Sequence, residues 1–398
     1  MQLQSITNLD IAGRTVLIRC DFNVPLNEDK EITDDRRIAM SLETIHYCLD
    51  CNCKVILMSH LGRPKGEGFE EEFSLEPVAK KLGELLHREV VLASDVAGND
   101  TKSKIEAMTE GNIVLLENLR FDKRETKNDE SLGKELADLA EIYINDAFGV
   151  SHRAHTSVHK VIDNFEQNKY AAGFLLQKEV NFFSGVIEEP KKPFASIVGG
   201  AKVSGKLEVL LSLISKVDKL FIGGGMAFTF IKAMGYNVGN SLVEDDLLDD
   251  AKKIMADAKE KGVKLYLPVD FIVADAFSET ANTKTVDYEN IPDGFMGLDI
   301  GAESIELFVE NLKDCQTIIW NGPMGVFEME PFAKGSLAIS ECLSTLTDAI
   351  TIIGGGDTAS VIKVADDLEK MTFISTGGGA SLELLEGKKL PGVERLIK

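Results

Sequence analysis

The residues of this 398-residue chain best suited to chemistry are arginines, histidines, lysines and glycines that follow short apolar runs. In the first half, Arg19-Cys20-Asp21-Phe22-Asn23 follows Thr15 to Ile18, and Ser59-His60-Leu61-Gly62-Arg63 follows Val55 to Met58. Glu117-Asn118-Leu119-Arg120 follows Ile113 to Leu116. Asn145-Asp146-Ala147-Phe148-Gly149 follows Ile142 to Ile144, with His152, Arg153 and His155 just beyond. A guanidinium presents a planar fork that matches phosphate or carboxylate. One such arginine is ordinarily a surface ion pair. Arg37, Arg63, Arg120 and Arg153 together with His60, and with Asp21 and Asn23 available to a hydroxyl, describe a pocket for a phosphorylated hydroxy acid.

The second half places glycine at the same points: Gly199-Gly200, Gly223-Gly224-Gly225, Gly354-Gly355-Gly356 and Gly377-Gly378-Gly379. A single pair after a strand is accounted for by a tight turn. Four clusters in one half suggest backbone amides gathered around a ligand. Gly200-Ala201-Lys202-Val203-Ser204-Gly205-Lys206-Leu207 approaches the P-loop pattern but has Leu207 where a hydroxyl should hold Mg²⁺. Lys202 and Lys206, four apart, are expected on one helix face, where like charges repel unless an anion lies between them. The competing reading is a solvated basic face. Gly354 to Thr358 opens a helix, and unpaired amides at a helix start attract anions. Asp357 there is either an N-cap or a carboxylate for Mg²⁺ carried on a phosphate chain. Thr376 to Ser381 repeats the arrangement, which suggests a polyphosphate and a transferring group. In Trp320-Asn321-Gly322-Pro323-Met324-Gly325-Val326-Phe327-Glu328, Glu328 is either a ribose acceptor or a surface carboxylate.

The elements that must position these residues are short, near-continuously apolar strands separated by amphipathic stretches. That pattern predicts an α/β protein with parallel sheets covered on both faces, where ligands bind beyond the carboxyl ends of the strands. A length of 398 residues exceeds what one core usually fills, so two domains are expected. The chemical difference between the halves suggests two ligands. The boundary is placed in the helical stretch Lys178 to Glu189, before Pro190 and Pro193. A net charge of −22 argues against nucleic acid but not against small anions focused in a cleft. No apolar run reaches the roughly 20 residues of a membrane span, and the start does not read as a signal peptide, so a cytoplasmic location is expected. Cys48, Cys51 and Cys53 crowd near His46. Without a second ligand cluster they read as core thiols rather than a metal site.

Taken together, the quoted segments resemble phosphoglycerate kinase over nearly the whole chain. The resemblance implies two doubly wound, Rossmann-like domains joined by a hinge helix. Residues 1–178 would bind phosphoglycerate, with 382–398 packing back on them, and 179–381 would bind nucleotide. It implies Mg²⁺-dependent exchange of a phosphoryl group between 1,3-bisphosphoglycerate and ADP, giving 3-phosphoglycerate and ATP, in a monomer without membrane or nucleic-acid partners. Asp21, Asn23, Arg37, His60, Arg63, Arg120 and Arg153 would hold the phosphoglycerate. Arg37, Lys202, Gly378 and Gly379 would surround the migrating group. Gly200, Lys202, Lys206, Gly223, Gly224, Asn321, Pro323, Glu328, Gly354, Gly355, Gly356, Asp357 and Thr358 would hold the nucleotide, with Asp357 on the metal. Two other readings are weaker. A dinucleotide-dependent dehydrogenase requires Gly-x-Gly-x-x-Gly after the first strand, which instead ends in Arg19 to Pro25. A non-catalytic nucleotide-binding protein on the same fold would be expected to lack Lys202 or Asp357.

Overall fold

A computed structural model describes residues 2–398. The strands form where β-branched and aliphatic residues run together. β1 (Thr15–Arg19), β2 (Lys54–Met58), β3 (Val90–Leu92), β4 (Ile113–Leu115), β5 (Ile142–Asn145) and β6 (Tyr170–Ala172) make one parallel sheet in the order β3-β4-β2-β1-β5-β6. β7 (Phe194–Val198), β8 (Lys219–Ile222), β9 (Lys264–Tyr266), β13 (Thr317–Asn321), β14 (Ile350–Gly354) and β15 (Phe373–Ile374) make a second, in the order β15-β14-β13-β7-β8-β9. β7 and β13 are buried at every position, as strands covered on both faces must be.

The second sheet has the doubly wound order in which the chain starts in the middle and works outward in both directions. Its switch point lies between β7 and β13. In the first sheet the connections diverge between β1 and β5.

A third sheet, antiparallel, joins β10 (Asp270–Ala274) to β11 (Thr283–Asp287) and β12 (Met296–Ile300). It adds to the parallel-only architecture expected from the sequence. β11 is mostly exposed and polar, so it carries little of the apolar signature that marks the other strands.

The chain divides into two compact units, Met1–Ser184 with Lys389–Lys398, and Gly185–Lys388. Helix Phe174–Glu188 begins in the first and ends in the second. The C-terminal segment is tied to the first unit by backbone bonds: Gln4 N–H donates to Leu396 O (2.8 Å) and Gly392 N–H to Ser151 O (2.9 Å). Asn145 at the end of β5 donates its side-chain N–H to Gly392 O (3.0 Å).

The helix Arg36–Asp50 buries Ile38, Ile45, Cys48 and Leu49 on one face. Cys48 and Cys53 are fully buried, and the Cys53 thiol donates to Ile11 O (3.0 Å). All the cysteines are free, and no group of three or more His, Cys, Asp or Glu able to hold a metal occurs among the described residues. Among the same residues, no helix is long and apolar enough to cross a membrane.

Candidate active site

In the first unit the strand ends form a connected polar cluster. Asp21, just past β1 and 4% exposed, accepts from Arg37 Nη1 (2.8 Å). The neighbouring Arg36 is held instead by Asp34 (Nε to Oδ2, 2.9 Å), so only Arg37 joins the cluster at the end of β1. Asn23 Oδ1 accepts the Gly62 N–H (2.8 Å), and Arg120 Nη1 donates to the Gly62 carbonyl (2.6 Å). Gly62 has φ +61°, and a Cβ there would lie 2.4 Å from the Phe73 ring, so glycine is needed for both conformation and space. Asn118 cross-links the same turns by donating to Leu61 O (2.7 Å) and Phe73 O (2.9 Å).

His60 is 3% exposed, 3.9 Å from Asp21 Oδ1. Burial first, and then the Arg19 charge, hold its imidazole well below its ordinary value. Burial and Arg19 likewise lower Arg120. His155 is pushed down to about 4, by burial and then by Arg120. Arg63 is exposed, and among the described residues no hydrogen bond or ion pair engages its side chain. Arg153, also exposed, donates from Nε to His152 Nε2 (3.2 Å). The cluster therefore combines cations that are already oriented with cations left open to solvent.

In the second unit the loops after β7, β8 and β13 interlock through their backbones. Gly199 N–H donates to Asn321 O (3.0 Å), Gly200 N–H to Pro323 O (3.0 Å) and Gly224 N–H to Met324 O (3.1 Å). A Cβ on Gly199 would lie 2.1 Å from the Pro323 oxygen. Close approach of three loops is thus one reason for the glycines, beside any ligand.

Lys202 and Lys206 do not share a helix face. Residues 201–206 form turns, and the helix Leu207–Leu213 starts only afterwards. Lys206 folds back, donating to Gly199 O (2.5 Å) and Asn321 O (2.8 Å). Its burial lowers the ammonium to about 8, against the favourable charge of Asp357. Lys202 remains exposed with no hydrogen bond or ion pair among the described residues. Asp357 is not an N-cap: Gly355 occupies that position, at φ +87°, and Asp357 lies in the first turn of helix Gly356–Val364, exposed. Thr358 is buried, and its hydroxyl accepts the Gly322 N–H (2.7 Å). Gly378, at φ +49°, is the N-cap of helix Gly379–Leu385.

A cavity of about 430 Å³ opens beside these loops. Gly200, Gly224, Pro323, Glu328 and Asp357 line it, as do Phe228, Leu242, Met296, Leu298 and Val326. The apolar wall was not anticipated. Met296 and Leu298 belong to β12, in the antiparallel sheet. Asp299 also lines the cavity; burial raises its carboxyl to about 7, although it accepts from Gly335 N–H (2.8 Å) and Ile300 N–H (2.9 Å). Gly223 lies behind the wall, where a Cβ would meet Met324 Sδ at 2.4 Å.

An apolar-walled cavity of this size suits a heteroaromatic base, while Glu328 and Asp357 in its lining suit a sugar hydroxyl and a cation on a phosphate chain. The first-unit cluster suits a small anion bearing a hydroxyl.

Comparison with known proteins gives the same family throughout. The family model described as phosphoglycerate kinase matches residues 6–388. The phosphoglycerate kinase of Nautilia profundicola is 60% identical over 397 residues, covering 100% of this chain and 99% of its own. That of Campylobacter concisus is 58% identical over 394 residues, covering 99% and 98%. Among solved structures, the phosphoglycerate kinase of Coxiella burnetii has TM-score 0.86 at 39% identity and covers 99% of both chains. The one from Pyrococcus horikoshii OT3 has TM-score 0.86 at 29% identity, covering 99% of this chain and 98% of its own. Sequence and architecture agree that this chain belongs to the phosphoglycerate kinase family.

Proposed function

We propose that the protein transfers a phosphoryl group reversibly between 1,3-bisphosphoglycerate and ADP, giving 3-phosphoglycerate and ATP, as a glycolytic enzyme of the cytoplasm acting as a monomer. The observation that carries the reading beyond family membership is where the unengaged charged groups lie. Arg63 beside the first sheet, and Lys202, Glu328 and Asp357 beside the second, are exposed, without a hydrogen bond or ion pair among the described residues.

In this reading the first unit binds phosphoglycerate through Asp21, Asn23, Arg37, His60, Arg63, Arg120 and Arg153. The second binds the nucleotide base against Gly200 and Gly224, with Gly223 behind that wall and not in contact with the base, and the ribose at Glu328. Its phosphates lie among Lys202, Lys206, Asn321, Pro323, the amides of Gly354, Gly355 and Gly356, and Thr358. Asp357 is an exposed carboxylate beside a helix start, which fits a Mg²⁺ held by one protein ligand and phosphate oxygens. When bound, that ion neutralises charge on the phosphate chain.

The attacking group in the direction of 1,3-bisphosphoglycerate synthesis is a carboxylate. Its pKa, roughly 3.5, leaves it ionised at neutral pH, so no general base is required. Catalysis then reduces to alignment and to stabilising charge on the equatorial oxygens of the migrating group. Arg37, Lys202 and the amides of Gly378 and Gly379 supply donors for that charge. In-line attack needs the reacting atoms about 3–3.5 Å apart. Because the two ligands are assigned to different units, the reading includes a hinge closure that also excludes water.

Purified protein should consume 3-phosphoglycerate in an ATP- and Mg²⁺-dependent assay coupled to reduction of the acyl phosphate. No turnover under those conditions would reject the reading. Closure is tested separately: X-ray scattering should give a smaller radius of gyration with both ligands than with none, and superimposable profiles would remove that step.

A further inference from the structure

Arg19, the last residue of β1, is 1% exposed. A guanidinium has donors only and keeps its charge at any working pH. Its Nε donates to Ser157 Oγ (2.8 Å), Nη1 donates to the Cys20 carbonyl, and Nη2 lies 3.2 Å from His60 Nδ1. Since the guanidinium cannot accept, His60 Nδ1 must do so, and it therefore carries no hydrogen. The one hydrogen of the neutral ring sits on Nε2. A second at Nδ1 would set two donors against each other. Asp21 Oδ1, which would favour a hydrogen on Nδ1, stands 3.9 Å away, beyond hydrogen-bond reach.

The orientation of Arg19 is itself fixed from behind. Ser157 donates its hydroxyl to Glu125 Oε1 (2.6 Å) and its N–H to Glu125 Oε2 (2.9 Å). With its single hydroxyl hydrogen directed at Glu125, Ser157 presents a lone pair to Arg19 Nε. Ser157 is fully buried and Glu125 is 1% exposed. The Tyr143 hydroxyl anchors the same residue by donating to Ser157 O (2.8 Å).

We propose that Arg19 is a positioning residue that locks His60 as the neutral Nε2–H tautomer, and that Glu125 orients Arg19 through Ser157. The inference rests on the reading of His60 as part of the phosphoglycerate pocket. It means that the acid meets a fixed neutral donor at His60, not a group whose charge varies across the range where imidazole normally titrates. Burial, Arg19, Arg120, Arg37 and His155 all oppose a second proton on the ring, and Asp21 is the carboxylate that favours one.

The full-length protein labelled with ¹⁵N at histidine reads this directly, with His60 assigned by loss of its signals in His60→Gln. At about pH 6.5, where a free imidazole is half protonated, His60 should show an unprotonated Nδ1 and a protonated Nε2. An Nδ1–H ring, or a doubly protonated one, overturns the lock without any other variant. In Arg19→Met the single-tautomer signature should be lost, and protonation should move up toward the ordinary imidazole value. Arg19→Lys, which keeps a donor, should restore the Nε2–H form. Ser157→Ala should give a smaller loss than Arg19→Met. An unchanged signature in folded Arg19→Met also overturns the proposal. Addition of 3-phosphoglycerate tests the underlying reading apart from the lock. A ring that is Nε2–H but indifferent to the acid supports the lock and removes His60 from the pocket.

Discussion

In the proposed reading the two units present opposite solutions to anion recognition on similar scaffolds. Both are six-stranded parallel sheets with their polar residues gathered after the central strands. The first gathers side chains: Arg37 on Asp21, Arg120 on the Gly62 carbonyl, Arg19 on His60. The second gathers backbone: the loops after β7, β8 and β13 bond one another through glycine, and its cavity wall is apolar. The physical difference is reach. A guanidinium extends from a buried strand end and selects a small, highly charged acid by its shape. Backbone amides have no reach, so the chain must come to the ligand, which only glycine permits at such separations.

Several experiments would break or sharpen this contrast. The largest effect is expected in the second unit at its exposed cation. Lys202→Ala should lower kcat by about 10²-fold or more, because donors to transition-state charge typically carry that weight. The KM for 3-phosphoglycerate should change little. Steady-state kinetics check both, and a kcat within about threefold of the parent would exclude Lys202 from the migrating group.

If the second unit depends on close backbone approach, adding one methyl should be severe where loops meet and harmless where they do not. Gly199→Ala should destabilise the protein by roughly 3 kcal/mol, since its Cβ would be 2.1 Å from a carbonyl oxygen. Gly205→Ala, with nothing within 4 Å of its Cβ, should stay within about 0.5 kcal/mol. Urea denaturation of the two variants separates the cases. Equal midpoints would refute the packing account.

In the first unit, Arg63→Ala should raise the KM for 3-phosphoglycerate roughly 10-fold with kcat retained. That corresponds to about 1.5 kcal/mol, the lower end for a hydrogen bond to a charged group. An unchanged KM would separate Arg63 from the cluster around Gly62.

The smallest effect concerns pH. Lys206 has a folded value of about 8, below that of an ordinary lysine. If its charge holds phosphate, kcat/KM for the nucleotide should fall a few-fold as pH rises through about 8, and this limb should vanish in Lys206→Met. Linkage works in the other direction for stability. The folded state binds fewer protons here than the unfolded one, so the burial cost is fully present below about pH 8 and is relieved as pH climbs toward the ordinary lysine value. Chemical denaturation across that window should show the parent gaining stability relative to Lys206→Met.

Much of the site was legible because its residues sit immediately after apolar runs, and a buried parallel strand announces itself by continuous Val, Ile and Leu. β3, β6, β9 and β11 escaped because short or exposed strands carry little apolar signal; β11 reads Thr283-Lys284-Thr285-Val286-Asp287, with Val286 its only residue not exposed. The expected pairing of Lys202 with Lys206 on a helix face was lost for a related reason. Spacing suggests a helix, but it cannot register that Lys206 turns back to the nearby Gly199 carbonyl and to the Asn321 carbonyl at the end of β13, distant in sequence.

The sequence by itself determined the family, the two parallel sheets and the division between a basic half and a glycine-rich half, because strand pattern and strand-end residue type are local properties. Only the tertiary structure decided that Arg37 rather than Arg36 reaches Asp21. It also decided that β12 supplies part of the cavity wall, and that Arg19 faces His60 from within the core. Those depend on which side chains from distant segments meet at hydrogen-bond distance, and a fraction of an ångström there settles donor, acceptor and charge.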